Sequence, residues 1–304
     1  MELAIVGLGK MGLNMATRLA RGGHRVIGFA RTDATVQEAI KLGAEGAHTL
    51  EEAVNKLSAP RIVWLMIPAG KVTHDAVEQL SMLLSAGDIV IDGGNSNYKD
   101  SVLHATMLEP KGIEFVDCGT SGGIWGLTEG YSLMIGGQPQ VVETLRPIFE
   151  TLAPGPDKGW GHVGPHGAGH YVKMVHNGIE YGMMQAFAEG FSILKAKKEF
   201  ALDLAQISHI WQHGSVVRSW LLDLAARALD EIQSSRISNP GWLTQARADG
   251  LYSSPLIWMC RRRSSRSLCK CALPAVMQRI TPRGCWRHCA TNLVAMPSRN
   301  RNKL

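Results

Sequence analysis

A lysine, an amide and a carboxylate stand at helical spacing in mid-chain: Lys173, Asn177 and Glu180, at i, i+4 and i+7 within the run from Pro165 to Tyr181. At 3.6 residues per turn they share one stripe of a helix, with His176 and Tyr181 beside it. Amine, amide and acid facing one way can exchange protons with a bound alcohol or ketone. Lysine acts as a base only where burial favours its neutral form, and the apolar neighbours Val172, Met174 and Val175 offer such surroundings. A solvated pair of opposite charges two turns apart is the plainer alternative. Gly167 and Gly169 at the helix start, which let another element pack closely, favour the buried arrangement. His162, His166 and His170 are spaced by four, but they have no carboxylate or thiolate partners, so they read as loop or surface residues and no metal is expected.

Proton transfer of this kind calls for a cofactor, and the N-terminus supplies a place for one. Residues 2–6 form an apolar run leading into Gly7-Leu8-Gly9-Lys10-Met11-Gly12, then a helical pattern, then a second apolar run at residues 25–29. Strand, G-x-G-x-x-G, helix and strand in that order mark a dinucleotide site. Gly7 makes the tight turn, Gly9 lets the backbone approach a pyrophosphate, and Gly12 lets the helix pack on the sheet with its first N–H groups facing the phosphates. After the second strand an NAD enzyme usually carries an acid for the ribose hydroxyls. This chain has Ala30-Arg31-Thr32 instead. Arg31 suits a 2′-phosphate, so NADP is expected, with NAD kept open by Asp33. The expected cofactor contacts are Gly7, Gly9, Lys10, Met11, Gly12, Arg31, Thr32 and Asn95.

The elements that must hold these groups follow from the pattern. Apolar runs at residues 61–67, 89–91, 115–117 and 132–135 read as strands. They end in polar, glycine-rich turns such as Asp92-Gly93-Gly94-Asn95-Ser96 and Gly119-Thr120-Ser121-Gly122-Gly123, the edge where open α/β sheets bind ligands. Beyond Gly164 the strand signals stop, and residues 168–195 and 202–229 read as long helices. The expected organisation is a Rossmann-type doubly wound α/β domain (1–163), an all-helical second domain (164–231) and an irregular tail (232–304). No signal peptide or spanning segment is evident, which points to a soluble cytoplasmic protein.

At this point the residues resemble the 6-phosphogluconate dehydrogenase family in its short bacterial form. The resemblance covers about residues 1–231 and rests on the Gly7–Gly12 turn, Asp92-Gly93-Gly94-Asn95-Ser96, Ser121-Gly122-Gly123 and the run Lys173-Met174-Val175-His176-Asn177-Gly178-Ile179-Glu180-Tyr181. The wider β-hydroxyacid dehydrogenases share only the lysine and asparagine. The resemblance implies oxidative decarboxylation of 6-phospho-D-gluconate to ribulose 5-phosphate, with Lys173 as base, Glu180 as acid and Asn177 beside them. It further implies that Asn95, Ser121, Gly122, Gly123, His176 and Asn177 hold the substrate, that Tyr181 and Arg218 bind its phosphate, and that the protein is a homo-oligomer, a dimer or tetramer.

The resemblance ends after Glu231. Residues 1–231 carry 19 Lys/Arg against 25 Asp/Glu; residues 232–304 carry 13 against one. Five of the six cysteines also lie beyond Glu231. A single base lost just after the Glu231 codon accounts for all of this, because the shifted frame can encode Gly-Glu-Gly-Arg-Trp and Arg-Asn-Gln-Phe-Gly-Gly-His segments like the family's own ending. The tail could otherwise be a basic arm for nucleic acid, but no nucleic-acid partner is expected. The remaining alternatives are another β-hydroxyacid dehydrogenase, or an inactive, cofactor-binding product left by the altered C-terminus.

Overall fold

The structure, a computed structural model, describes residues 1–238. Its strands are β1 (Glu2–Val6), β2 (Arg25–Phe29), β3 (Glu45–Ala47), β4 (Ile62–Leu65), β5 (Ile89–Asp92), β6 (Glu114–Ser121), β7 (Ser132–Gly137) and β8 (Trp160–Gly164). They form one eight-stranded sheet in the order β3-β2-β1-β4-β5-β6-β7-β8. Strands β1 to β6 are parallel. Strand β7 pairs antiparallel with β6, Val116 opposite Gly137 and Ser121 opposite Ser132, and β8 is parallel to β7.

Between the strands run α1 (Lys10–Arg21), α2 (Asp33–Lys41), α3 (Leu50–Asn55), α4 (Lys71–Leu83), α5 (Tyr98–Leu108), α6 (Gly126–Glu129), α7 (Pro139–Thr144) and α8 (Arg146–Leu152). The alternation of side chains along each strand builds a core on both faces of the sheet. From β1, Leu3 and Ile5 join Met15, Leu19, Trp64 and Phe149 in one cluster. Ala4 and Val6 join Val63, Leu80, Val90 and Phe115 in the other.

After β8 come α9 (Ala168–Ala196), α10 (Leu204–Trp211) and α11 (Trp220–Ser238). One compact unit spans Met1–Asn177, so it includes the first turns of α9; a second begins at Gly178. Within the second unit α10 opens on Asp203, whose carboxylate accepts the Gln206 N–H at 3.1 Å. His209 on α10 pairs with Asp230 on α11 at 3.0 Å, and Leu222, Ala225 and Ala226 are buried. Among the described residues no helix is long and apolar enough to cross a membrane.

Three expectations need correction. Residues 119–121 are not a turn: β6 continues through them because β7 supplies ladder partners. Strands β3 and β8 join the sheet although the sequence shows no strand pattern there; both are short and contain glycine. The irregular tail does not begin at 232, since α11 runs through Glu231 to Ser238. No helix breaker intervenes before Pro240. The remainder of the basic segment, with the frame change read from it, lies outside the described residues.

Candidate active site

The turn from β1 to α1 has the shape a dinucleotide needs. Gly7 adopts φ +97°, and its N–H donates to the Phe29 carbonyl at 2.8 Å. A Cβ there would stand 2.4 Å from the Met66 carbonyl oxygen, and one on Gly12 would stand 2.0 Å from the Gly7 carbonyl oxygen. Only glycine fits at either position. At Gly9 the same test meets nothing within 4 Å: that side is open to a ligand. Gly9 is also the N-cap of α1 and gives no side-chain cap, so the first N–H groups and the helix dipole are available to an anion. Lys10 is exposed and Met11 half-buried on this turn. Exposed Arg31 and Thr32 follow β2, with Thr32 as N-cap of α2 and its hydroxyl 2.7 Å from that of Thr35. These residues fit a phosphorylated dinucleotide.

Asn95 is exposed in the turn after β5, where the Asp92 carboxylate accepts the Gly94 N–H at 3.0 Å. Ser121 ends β6, and Gly122 (φ +134°) and Gly123 (φ +53°) turn the chain in conformations that favour glycine. Helix α1 holds this turn from the cofactor side. The Asn14 amide donates to the Ile124 carbonyl at 3.1 Å. Arg18 donates to the carbonyls of Leu127 (3.2 Å), Thr151 (2.8 Å) and Ala153 (2.7 Å).

Lys173 is buried, at 7 % exposure. A Cβ on Gly119 would lie 2.5 Å from the Lys173 Cβ, so the lysine rises directly beside β6. Its Nζ is 3.2 Å from His176 Nδ1. With lysine as donor, Nδ1 accepts, and the ring proton sits on Nε2 for a further acceptor. Asn177 is half-buried one turn above Lys173, and α9 continues without a break past Glu180 and Tyr181. In the second unit, exposed Arg218 lines a cavity of about 400 Å³ with Gln212, His213, Ser219, Trp220 and Asp223. Tyr181, expected to share the phosphate with Arg218, does not line it. His162 bonds the Gly137 carbonyl and His170 the Ser101 hydroxyl.

One group at this edge went unnoticed in the sequence. Asp117 on β6 is fully buried, and its two carboxylate oxygens accept the N–H groups of Gly167 (2.6 Å) and His170 (2.8 Å). A lone acid inside an apolar strand gives no sign of partners fifty residues away.

The family model for the NAD-binding domain of 6-phosphogluconate dehydrogenase matches residues 2–164. The chain belongs to the 6-phosphogluconate dehydrogenase family. The model for that family's C-terminal domain matches residues 169–200. An NAD(+)-dependent, decarboxylating 6-phosphogluconate dehydrogenase from Haloferax volcanii is 43 % identical over 231 residues, covering 76 % of each chain. Among solved structures, Plasmodium falciparum 6-phosphogluconate dehydrogenase, studied with NADP+ and with 6-phosphogluconate, is similar at TM-score 0.70 and 31 % identity; the match covers 75 % of this chain and 51 % of that one. Mycobacterium tuberculosis 3-hydroxyisobutyrate dehydrogenase is similar at TM-score 0.62 and 25 % identity, over 72 % of both chains.

Proposed function

We propose that this enzyme oxidises and decarboxylates 6-phospho-D-gluconate to D-ribulose 5-phosphate and CO2, with NADP as its cofactor and NAD as a poorer substitute. The observation that carries this reading is the buried Lys173 beside β6, with His176 bonded to it and Ser121, Gly122 and Gly123 at the end of the same strand. The cofactor, when bound, supplies the hydride acceptor. Lys173 takes the proton of the C3 hydroxyl, and the alcohol becomes a ketone. As an ammonium it then donates to the ketone oxygen, which draws in the electron pair left when the C1 carboxylate departs as CO2. Glu180 donates a proton to the carbon that becomes C1 of the product, and Asn177 orients the hydroxyls. Asn95, Ser121, Gly122, Gly123 and His176 hold the rest of the sugar acid, and Tyr181 and Arg218 its phosphate.

The same reading makes the enzyme cytoplasmic, where charged phosphate esters are retained, and a homo-oligomer. It takes the segment after Glu231 as out of frame. NADPH formation from 6-phosphogluconate by the chain with the base restored after Glu231 is the direct test, and Lys173→Met in that chain should lower kcat by roughly 10²–10⁴-fold. Turnover of unphosphorylated β-hydroxyacids in place of 6-phosphogluconate would overturn the substrate assignment.

A further inference from the structure

A helix is usually capped by the residue just before it. Helix α9 is preceded by Gly167, which has no side chain to offer. Its first N–H groups are instead met by Asp117, fifty residues upstream on β6, with Oδ1 on Gly167 and Oδ2 on His170. Burying a carboxylate is costly unless hydrogen bonds and opposite charge compensate it. Two amides and the positive end of a 29-residue helix do so here.

This bond joins a helix to a strand, so it fixes where the helix lies along the strand. Against β6 and β7 the surrounding contacts are made by glycines, while on the α5 side the His170 ring bonds the Ser101 hydroxyl at 2.7 Å. A Cβ on Gly169 would stand 2.5 Å from the Asp117 carbonyl oxygen, and one on Gly136 2.5 Å from Asp117 Oδ1. Glycine surfaces allow close approach but have no side chains to interlock against sliding. Asp117 supplies what they lack. Two residues along the same face of β6, Gly119 meets Lys173, and two further on stands Ser121. The two bonds at Asp117 therefore fix the height of the lysine relative to Ser121 and Gly122 along β6, while the His170–Ser101 bond ties the same turn to α5.

We infer that Asp117 is a positioning residue for the reaction: it acts through α9 to hold Lys173 level with the substrate turn. The inference rests on the reading of Lys173 as the base. Asp117→Asn in the full chain keeps the shape but can accept only one of the two N–H groups. The expected result is amide hydrogen exchange at Gly167 or His170 faster by about tenfold. A kcat lower by roughly 10- to 100-fold should accompany it, the scale of a misplacement near 1 Å. The KM for 6-phosphogluconate and the NADP affinity should stay within about threefold, because neither depends on the bond. If the asparagine variant does not fold, Asp117→Ser, smaller and still an acceptor, takes its place. Unchanged kcat with exposed amides, or a loss spread equally over kcat, KM and cofactor affinity, would overturn the inference. If the chain with the base restored after Glu231 does not turn over 6-phosphogluconate either, the functional reading fails separately. The rate at which acetic anhydride acylates Lys173 then decides the matter: an increase of several-fold in the variant supports the positioning role, and no change overturns it.

Discussion

The Lys173 amine lies 3.2 Å from His176 Nδ1; with the amine as donor, the ring proton sits on Nε2 and can be offered elsewhere. A buried lysine held this way has few ways to move, which suits a base that must return its proton as a donor. Arg31 is the opposite case, an exposed cation at the end of β2 with no carboxylate at Ala30 to compete with a phosphate. Its charge should separate the two nicotinamide cofactors. Arg31→Ala is expected to weaken NADP by about 1.5–3 kcal/mol, the scale of a charge-assisted hydrogen bond, and to leave NAD nearly unchanged. Equilibrium titration with both cofactors checks this; equal losses would show that Arg31 does not read the 2′-phosphate.

The elements carry a pH dependence of their own. His104 on α5 is buried against Phe115 and 3.3 Å from His74. Burial pushes its basicity down, with the Asp92 charge opposing and His74 assisting; burial does the same to His24. Both are therefore held neutral in the fold and protonate more readily once unfolded. Their contribution to stability is complete above the ordinary value of 6.5 and is lost as pH falls through the lowered folded values. Thermal denaturation between pH 7 and pH 5 should show a falling midpoint, and His104→Gln should flatten that slope. A slope unaltered by the substitution would remove His104 from the account.

Legibility also differed by element. The β1–α1–β2 unit was plain because its glycines answer to local sterics that the sequence displays. The stripe on α9 was plain because helical spacing is local too. Strands β3 and β8 were not, since three residues, or five with two glycines, have too little apolar pattern to declare themselves. β6 is longer than its sequence suggests, because its last residues look like a turn until β7 lies beside them. Asp117 stayed hidden for the same reason: its partners are distant in sequence.

For the molecule as a whole, the decisive comparison is between this chain and one with the single base restored after Glu231. Within the second unit Ile193, Phe200, Ile210 and Val216 are exposed, an apolar surface of the kind that favours association. The restored chain is expected to form a defined homo-oligomer, to gain NADPH production and to resist proteolysis beyond Glu231. Size-exclusion with light scattering, together with the coupled assay, checks this; equal activity and protection in both chains would defeat the frame change.

The reversal at β7 has a consequence of parity. Six strands run one way, and a helix leaving the sixth would set out from the cofactor edge and travel away from it. Because β7 and β8 run backwards, α9 sets out from the far edge and climbs alongside β6, past Asp117 and then Gly119, bringing Lys173 up to the turn that follows Ser121. The β7–β8 pair thus works as an inverter. Removing it would reverse α9, so that the helix beyond Lys173 would run away from the cofactor edge instead of toward it.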